Sequence, residues 1–201
     1  MKKMVLITVV SCVVLYANAG LIVNGSFEDP DISGDYTADI AGPMGPWQVL
    51  AGVDLIDDYW VASDLDQSVD MNASGPGKIA QSIATQVGGL YKVTFDLAGN
   101  PELAPDTKDL RLGVADTANG AYNASYDFSF DASNTDFTNM GWTDKSWQFT
   151  ATNTTTWIVF QSLTTGACGP AIDNVDVNLV PEPATMLLLG LGGILLRRKL
   201  S

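Results

Sequence analysis

Apolar and polar residues alternate with a period of two along much of the chain between residues 20 and 180. The alternation is clearest at 91–97, 110–114 and 126–130, where every second side chain is apolar. This pattern is typical of a β-strand with one face in a core and the other in water. Further strands are predicted at 21–23, 47–50, 53–56, 68–71, 78–85, 146–150, 157–163 and 172–179.

Turn-forming residues separate these segments, for example Asp29-Pro30, Gly75-Pro76-Gly77 and Gly169-Pro170. No stretch between them has the apolar stripe of an amphipathic helix. Ten or eleven short strands in one domain predict an all-β fold of two packed antiparallel sheets, a jelly-roll β-sandwich. The segment 157–160 is apolar on both faces and suits a central strand that is covered on each side.

The N-terminus has the organisation of a secretory signal peptide over residues 1–19. Lys2 and Lys3 precede an apolar segment, and Ala17-Asn18-Ala19 supplies the small-x-small cleavage pattern. An alternative is a lipoprotein signal, because Val9-Val10-Ser11-Cys12 loosely fits a lipidation motif. More apolar residues follow Cys12 at once, where a lipoprotein usually has a polar tether, so we favour cleavage after Ala19.

The last residues, 180–201, contain Pro181-Glu182-Pro183, an uncharged apolar segment at 184–196, and a basic stop, Arg197-Arg198-Lys199. As a helix this apolar segment is about 20 Å long, shorter than a hydrocarbon core of roughly 30 Å. The three parts together resemble a PEP-CTERM sorting signal of bacteria that export surface proteins with an exopolysaccharide matrix. The resemblance implies a short sorting helix that anchors the chain transiently in the membrane until an exosortase cuts near Pro-Glu-Pro.

The body between the two signals, residues 20–179, is strongly acidic. It keeps five of the ten basic residues and twenty-two of the twenty-three acidic ones, giving a formal charge of −17. Such a body is repelled by nucleic acid and by anionic membrane surfaces. Solubility outside the cell accounts for the charge, and binding of divalent cations is a more specific interpretation.

Residue types missing from the body also limit its chemistry. The chain has no histidine, which excludes a Ser-His-Asp triad and His-ligated metals, and Cys168 is the only cysteine of the body. A disulfide within the body and a Cys-based zinc site are therefore excluded. A glycosidase that works with two carboxylates remains open, although close acidic pairs arise by chance among so many acids.

Asp173 is out of place in the last predicted strand, because alternation puts it on the same inward face as Val175, Val177 and Leu179. A carboxylate aimed at a core is costly unless it is paired or binds a metal. Calcium takes six to eight oxygen ligands, and the terminal strands of a jelly roll commonly lie close together. Glu28 and Asp173 are therefore candidate ligands of a structural calcium ion. The alternatives are a bulge that turns Asp173 to solvent, or capping of the sheet by backbone N–H groups.

Sugar binding needs an exposed aromatic ring and a few fixed polar partners. Tyr59 and Trp60, which follow Asp57 and Asp58, have this chemistry. The alternative for Trp60 is that its ring fills the core between the sheets. Further polar contacts to a sugar are expected from Asp70, Gln81 and Asn100.

The body as a whole resembles the choice-of-anchor C family. The resemblance rests on Asn24-Gly25-Ser26-Phe27-Glu28, Ser68-Val69-Asp70, the strand at 91–100 and the terminal Gly169-Pro170-Ala171-Ile172-Asp173-Asn174-Val175. It implies a galactose-binding-like β-sandwich, similar in outline to carbohydrate-binding modules that hold a structural calcium near their termini. We therefore expect a non-catalytic protein of the bacterial surface or matrix that binds or organises extracellular polysaccharide. The alternatives are a structural matrix or adhesion protein with no sugar site, and a carboxylate-dependent glycosidase.

Overall fold

The computed structural model describes residues 20–181. The signal-peptide helix expected at 1–19 and the apolar sorting helix expected at 184–196 lie outside the described residues. Within 20–181 no helix is long and apolar enough to cross a membrane.

The described chain forms eleven strands, and every pairing between them is antiparallel. Their bounds are β1 Tyr36–Ile40, β2 Gln48–Ala51, β3 Val53–Ile56, β4 Ser68–Asp70, β5 Lys78–Ala84, β6 Leu90–Gly99, β7 Thr107–Ala115, β8 Tyr122–Asp131, β9 Thr143–Thr150, β10 Thr155–Ser162 and β11 Pro170–Leu179.

These strands build two sheets that pack face to face. The six-stranded sheet has the order β1-β3-β4-β11-β6-β9, and the five-stranded sheet has the order β2-β5-β10-β7-β8. Neighbours in each sheet are mostly distant in sequence, as in a jelly roll, and the expected all-β sandwich is confirmed. The eleven described strands and the core between them pack together within residues 20–181.

The core between the sheets is built from the alternating apolar residues. Phe95 and Phe160 come from opposite sheets and meet edge to face, with ring centroids 5.1 Å apart, and Trp47 packs against Phe160 at 6.2 Å. Strand β10 lies between β5 and β7, so the prediction of a central strand at 157–160 is confirmed. Its outward-facing Val159 is also fully buried, in a small cluster with Ala80 and Ala115.

Two local predictions were wrong. Residues 21–23 do not form a strand; the Leu21 N–H donates to the Val177 carbonyl, and Val23 bonds through its backbone to the Gln81 side chain. Strand β1 was not predicted. It is an edge strand with four of its five residues exposed, so it carries no alternation from which it could be recognised.

Candidate functional site

A cavity of about 670 Å³ opens at one edge of the sandwich. This volume lies in the range of ~300–1,000 Å³ that is usual for small-molecule sites. The β3–β4 loop supplies most of its lining, and the segment before β1 and the β8–β9 loop complete it. The lining residues are Asp31, Ile32, Asp57, Asp58, Tyr59, Trp60, Val61, Ala62, Leu65, Asp66, Phe137 and Thr138.

Hydrogen bonds to backbone carbonyls hold the three segments of the cavity together. The Val61 N–H donates to the Phe137 carbonyl at 3.1 Å, and the Trp142 indole N–H donates to the Val61 carbonyl at 2.9 Å. On the other side, the backbone N–H groups of Asp57 and Tyr59 both donate to the Asp35 carbonyl. The cavity therefore has walls that are fixed to one another before any ligand binds.

Asp173 fixes the middle of the β3–β4 loop from the outer face of the six-stranded sheet, where it pairs in register with Asp96. Its side chain is wholly buried. One carboxylate oxygen, Oδ2, accepts the backbone N–H groups of Ser63 and Asp64 at 2.8 Å each, and Oδ1 accepts that of Asn174 at 2.6 Å. The expected inward orientation is wrong. Asp173 pairs with Asp96, on the face of the sheet away from Leu97 and the core, because a bulge between Asp173 and Asp176 breaks the alternation along β11. Backbone N–H donors satisfy the carboxylate there. Burial nevertheless raises the pKa of Asp173 to about 7.

Glu28 holds the next part of the same loop. Its Oε1 atom accepts the backbone N–H groups of Asp66 and Gln67, at 3.2 and 2.8 Å. Between the two anchors, Leu65 adopts a left-handed backbone with a φ of 57°. Glu28 and Asp173 thus position the loop that lines the cavity, whether or not an ion binds between them.

The calcium site expected at Glu28 and Asp173 stays a prediction. Their oxygen atoms have the hard-donor chemistry that calcium prefers, and no described side chain or backbone group donates to Glu28 Oε2. Within residues 20–181, however, no group of three or more His, Cys, Asp or Glu residues is placed to hold a metal. Any calcium site here would need backbone carbonyls or water for most of its ligands.

Tyr59 forms the aromatic wall of the cavity. Its half-buried ring packs against Phe137, with centroids 4.7 Å apart, and against Tyr36 at 5.3 Å. The hydroxyl donates to Glu102 Oε2 at 2.9 Å. Burial and this bond to a carboxylate raise the pKa of Tyr59 to about 12. The ring is held in one orientation, as a stacking surface for a sugar requires.

Trp60 does not form the exposed platform expected of it. Only 4% of the residue is exposed, and its indole N–H donates to the Ser68 hydroxyl at 2.8 Å. Ser68 lies on the outer face of the six-stranded sheet, next to the inward-facing Val69, so Trp60 is buried against that face and not between the two sheets. Trp60 contributes the base of the cavity, behind Tyr59, and its ring is not available for stacking on a ligand.

Asp70 and Asn100 lie beside Tyr59, around a smaller cavity of about 150 Å³. Both are buried, and the Asn100 amide donates to Asp70 at 2.8 Å. Asp70 also accepts the backbone N–H groups of Asn72 and Gly169, and burial raises its pKa to about 7. Asp70 and Asn100 use these polar atoms in hydrogen bonds within the fold, and their contact with a sugar stays a prediction.

Gln81 lies apart from both cavities. It is buried, and its side-chain amide both accepts from and donates to the Val23 backbone at 2.9 Å. The prediction that Gln81 contacts a ligand stays a prediction, and the structure shows a different role for its side chain. It ties the N-terminal segment to β5.

Four carboxylates surround the aromatic wall, those of Asp31, Asp57, Asp58 and Asp66. Partial desolvation and the charges of Asp58, Asp66 and Asp31 raise the pKa of Asp57. Among the described residues, no side chain or backbone group donates a hydrogen bond to any of the four, and no basic residue lines the cavity. These acids are free to interact with a ligand.

Sequence reasoning missed two aromatic features. Phe137 completes the cavity wall from a loop far along the chain. Trp157 and Tyr122 lie on the outer face of the five-stranded sheet, where the Tyr122 hydroxyl donates to Gln161 Oε1 at 2.7 Å. Alternation along β10 was the available signal for this second surface, since it places Trp157 and Val159 on the face away from the core.

The architecture is that of a carbohydrate-binding-module-like β-sandwich. The body, residues 20–178, matches the family described as "Protein of unknown function (DUF642)", and the chain belongs to that family. Residues 179–199 match the PEP-CTERM protein-sorting motif, which confirms that part of the sequence interpretation and marks an exported, surface-sorted protein. The choice-of-anchor C resemblance stays a prediction.

A curated relative is halomucin of Haloquadratum walsbyi. It is 30% identical over 175 residues, which is 81% of this chain and only 2% of halomucin. Because the chain spans so little of that protein, the relationship concerns one domain.

Similar solved structures have low sequence identity, and the first of them shows the fold. TmCBM61 in complex with beta-1,4-galactotriose is 14% identical, covers 81% of this chain and all of that one, and has a TM-score of 0.54. A family 35 carbohydrate-binding module from Clostridium thermocellum is 16% identical, over 72% of this chain and 98% of that one, with a TM-score of 0.47.

Proposed function

We propose that this protein is a non-catalytic, surface-sorted β-sandwich that binds extracellular polysaccharide in the cavity beside Tyr59. The observation that carries the proposal is the pairing of a fixed aromatic wall, Tyr59 and Phe137, with carboxylates that have no described protein partner. Sugars present an apolar C–H face to an aromatic ring and hydroxyl donors to carboxylates. The cavity offers both kinds of contact at one place.

The surroundings of the cavity favour binding over a purely structural role. Its three segments are bonded to one another, so little ordering entropy is lost when a ligand enters. A sorting motif that delivers the body to the cell surface, after processing by an exosortase, brings the cavity to matrix polysaccharide. The likeness to TmCBM61 concerns the fold alone and is consistent with this function.

Two alternative functions predict different experimental results. A structural matrix or adhesion protein with no sugar site would retain no glycan in a binding experiment. A carboxylate glycosidase is favoured by the four acids in one cavity, because such enzymes place two carboxyl groups about 5–9.5 Å apart. Release of reducing sugar from a bound glycan, abolished by Asp57→Asn, would identify that activity and overturn the non-catalytic proposal.

The test is binding of matrix polysaccharides and their oligosaccharides to residues 20–181, first on a glycan array and then by calorimetry. We expect at least one glycan to bind, and Tyr59→Ala to weaken it about tenfold, since loss of an aromatic contact is worth about 1.4 kcal/mol. Tyr59→Phe keeps the ring and loses only the bond to Glu102, so it should retain most of the affinity.

Trp157→Ala is the matched control on the other aromatic surface. It should leave the affinity unchanged. If Trp157→Ala abolishes binding and Tyr59→Ala does not, the site is the outer sheet face and the proposed cavity is wrong. If no glycan is retained, with or without added calcium, the protein does not bind polysaccharide.

A further inference from the structure

The charge of the cavity narrows the class of sugar that fits it. Asp57 and Asp58 are adjacent on the β3–β4 loop, Asp66 closes the same loop, and Asp31 faces them from the segment before β1. All of the charged residues that line the cavity are acidic. Like charges in one partly desolvated cavity repel one another, and an entering cation relieves that repulsion.

This distribution disfavours anionic glycans. A uronate or sulfate group would meet four carboxylates and no described basic partner in the cavity. None of the five basic residues of the described body lines this cavity. Arg111 is paired with Asp127, and the buried Lys108 amine donates to the carbonyls of Leu103 and Cys168. An anionic sugar could enter only with a bridging metal ion.

The aromatic wall favours an organic cation over a bare metal ion. Tyr59 and Phe137 present ring surface beside the carboxylates, and a cation is attracted to the face of an aromatic ring. An amino sugar can stack the C–H face of its pyranose on the aromatic ring. Its ammonium group can then donate charge-assisted hydrogen bonds to the carboxylates. A fully hydrated metal ion uses only the carboxylates.

We propose that the cavity binds amino-sugar units with a free ammonium group, as in a de-N-acetylated polysaccharide of glucosamine. The inference rests on the proposed function, because it names the substrate class of the same cavity. The two components of the site have separate roles: Tyr59 and Phe137 recognise the pyranose, and the carboxylates recognise its positive charge. Acetylating the amine removes that charge and leaves the ring and the linkage unchanged.

The experiment compares β-1,4-linked glucosamine hexamer with its fully N-acetylated counterpart by calorimetry on residues 20–181. At pH 6 the amines are largely protonated, because an ordinary α-amine titrates near ~7.7. We expect the glucosamine hexamer to bind about tenfold more tightly, the gain of one charge-assisted over one neutral hydrogen bond. Raised salt should reduce this advantage.

Two substitutions separate specific recognition from general attraction of a polycation to an acidic protein. Asp57→Asn removes one cavity charge and should reduce the preference for the glucosamine hexamer about threefold. This corresponds to losing roughly half the free energy of one charge-assisted hydrogen bond. Asp116→Asn removes the same charge from an exposed position outside the cavity and should leave the preference unchanged. An equal loss in both variants would show non-specific attraction and overturn the inference.

The remaining outcomes distinguish this inference from the function on which it rests. If both hexamers bind equally, or the N-acetylated one binds better, polysaccharide binding stands and the amino-sugar inference is wrong. If only oligogalacturonate binds, and only with calcium, the cavity takes an anionic sugar through a metal and the inference is again wrong. If no glycan binds, the proposed function fails with it.

Discussion

Replacing Asp173 by asparagine tests how the cavity loop is held and how the stability of the sandwich depends on pH. The substitution keeps the size of a wholly buried side chain and removes its ability to ionise. The native carboxyl group titrates near 7, because burial outweighs the three backbone N–H donors that lower its pKa. In the unfolded chain the same group titrates near the ordinary value of 3.8.

The direction in which the unfolding free energy changes with pH follows from the protons bound by the native and unfolded states. Between about pH 4 and pH 7 the native state holds a proton at Asp173 that the unfolded state has released, so the free energy of unfolding falls as pH rises. One such proton changes it by about 1.4 kcal/mol per pH unit in the middle of this window. Asp70, which also titrates near 7 in the native state, contributes in the same direction, so the wild-type body should be clearly more stable at pH 5 than at pH 8.

The assay is urea unfolding at half-unit steps from pH 5 to pH 8, followed by tryptophan fluorescence. Asp173→Asn should lower the slope of unfolding free energy against pH by about 1.4 kcal/mol per unit between pH 5 and pH 6. Asp116→Asn, at an exposed site, should leave the slope as it is. If Asp173→Asn retains the full wild-type slope, Asp173 is already ionised at pH 5 and the reasoning from burial is refuted.

Three other changes test separate parts of the structure. If a structural calcium ion binds at Glu28 and Asp173, excess chelator should lower the Tm of the wild type but not of Glu28→Gln; an unchanged wild-type Tm would contradict calcium binding. Trp47→Ala removes a fully buried ring whose indole N–H donates to the Asn24 carbonyl and should cost about 3–5 kcal/mol in urea unfolding; a loss under ~1 kcal/mol would show that the core there collapses. Gly113→Leu places a side chain against the Tyr122 ring and should cost about 1–3 kcal/mol, whereas an unchanged unfolding midpoint would show that the ring moves freely.

The sandwich could be predicted from sequence because alternation is a local signal. Ten of the eleven strands follow from segments in which every second residue is apolar or from short apolar runs. Strand β1 could not, because an exposed edge strand has no buried face to impose the pattern. The segment 21–23 is apolar, but it makes one backbone bond to Val177 and two bonds to the Gln81 side chain, so its composition did not reveal that it lacks strand pairing.

The candidate site was harder to predict because loops that are distant in sequence form it. Asp57, Asp58 and Tyr59 could be selected for their chemistry, but nothing local places Phe137 against Tyr59. Alternation along β11 predicted the wrong face for Asp173, because the bulge between Asp173 and Asp176 cannot be recognised from the pattern. The partners of Asp173 could not be predicted, because the Ser63 and Asp64 N–H groups lie 110 and 109 residues away along the chain. Trp60 shows the same limit, since only the folded structure separates a buried indole from an exposed one.

The central claim, that polysaccharide binds beside Tyr59, is tested most directly by NMR titration of ¹⁵N-labelled residues 20–181 with a glycan that the array retains. Binding in the cavity predicts that amide shifts change along the β3–β4 loop at 57–66 and at Phe137 and Thr138. The amides around Trp157 and Tyr122 should remain unchanged. Shift changes confined to the outer face of the five-stranded sheet, or no changes at saturating glycan, would contradict the claim.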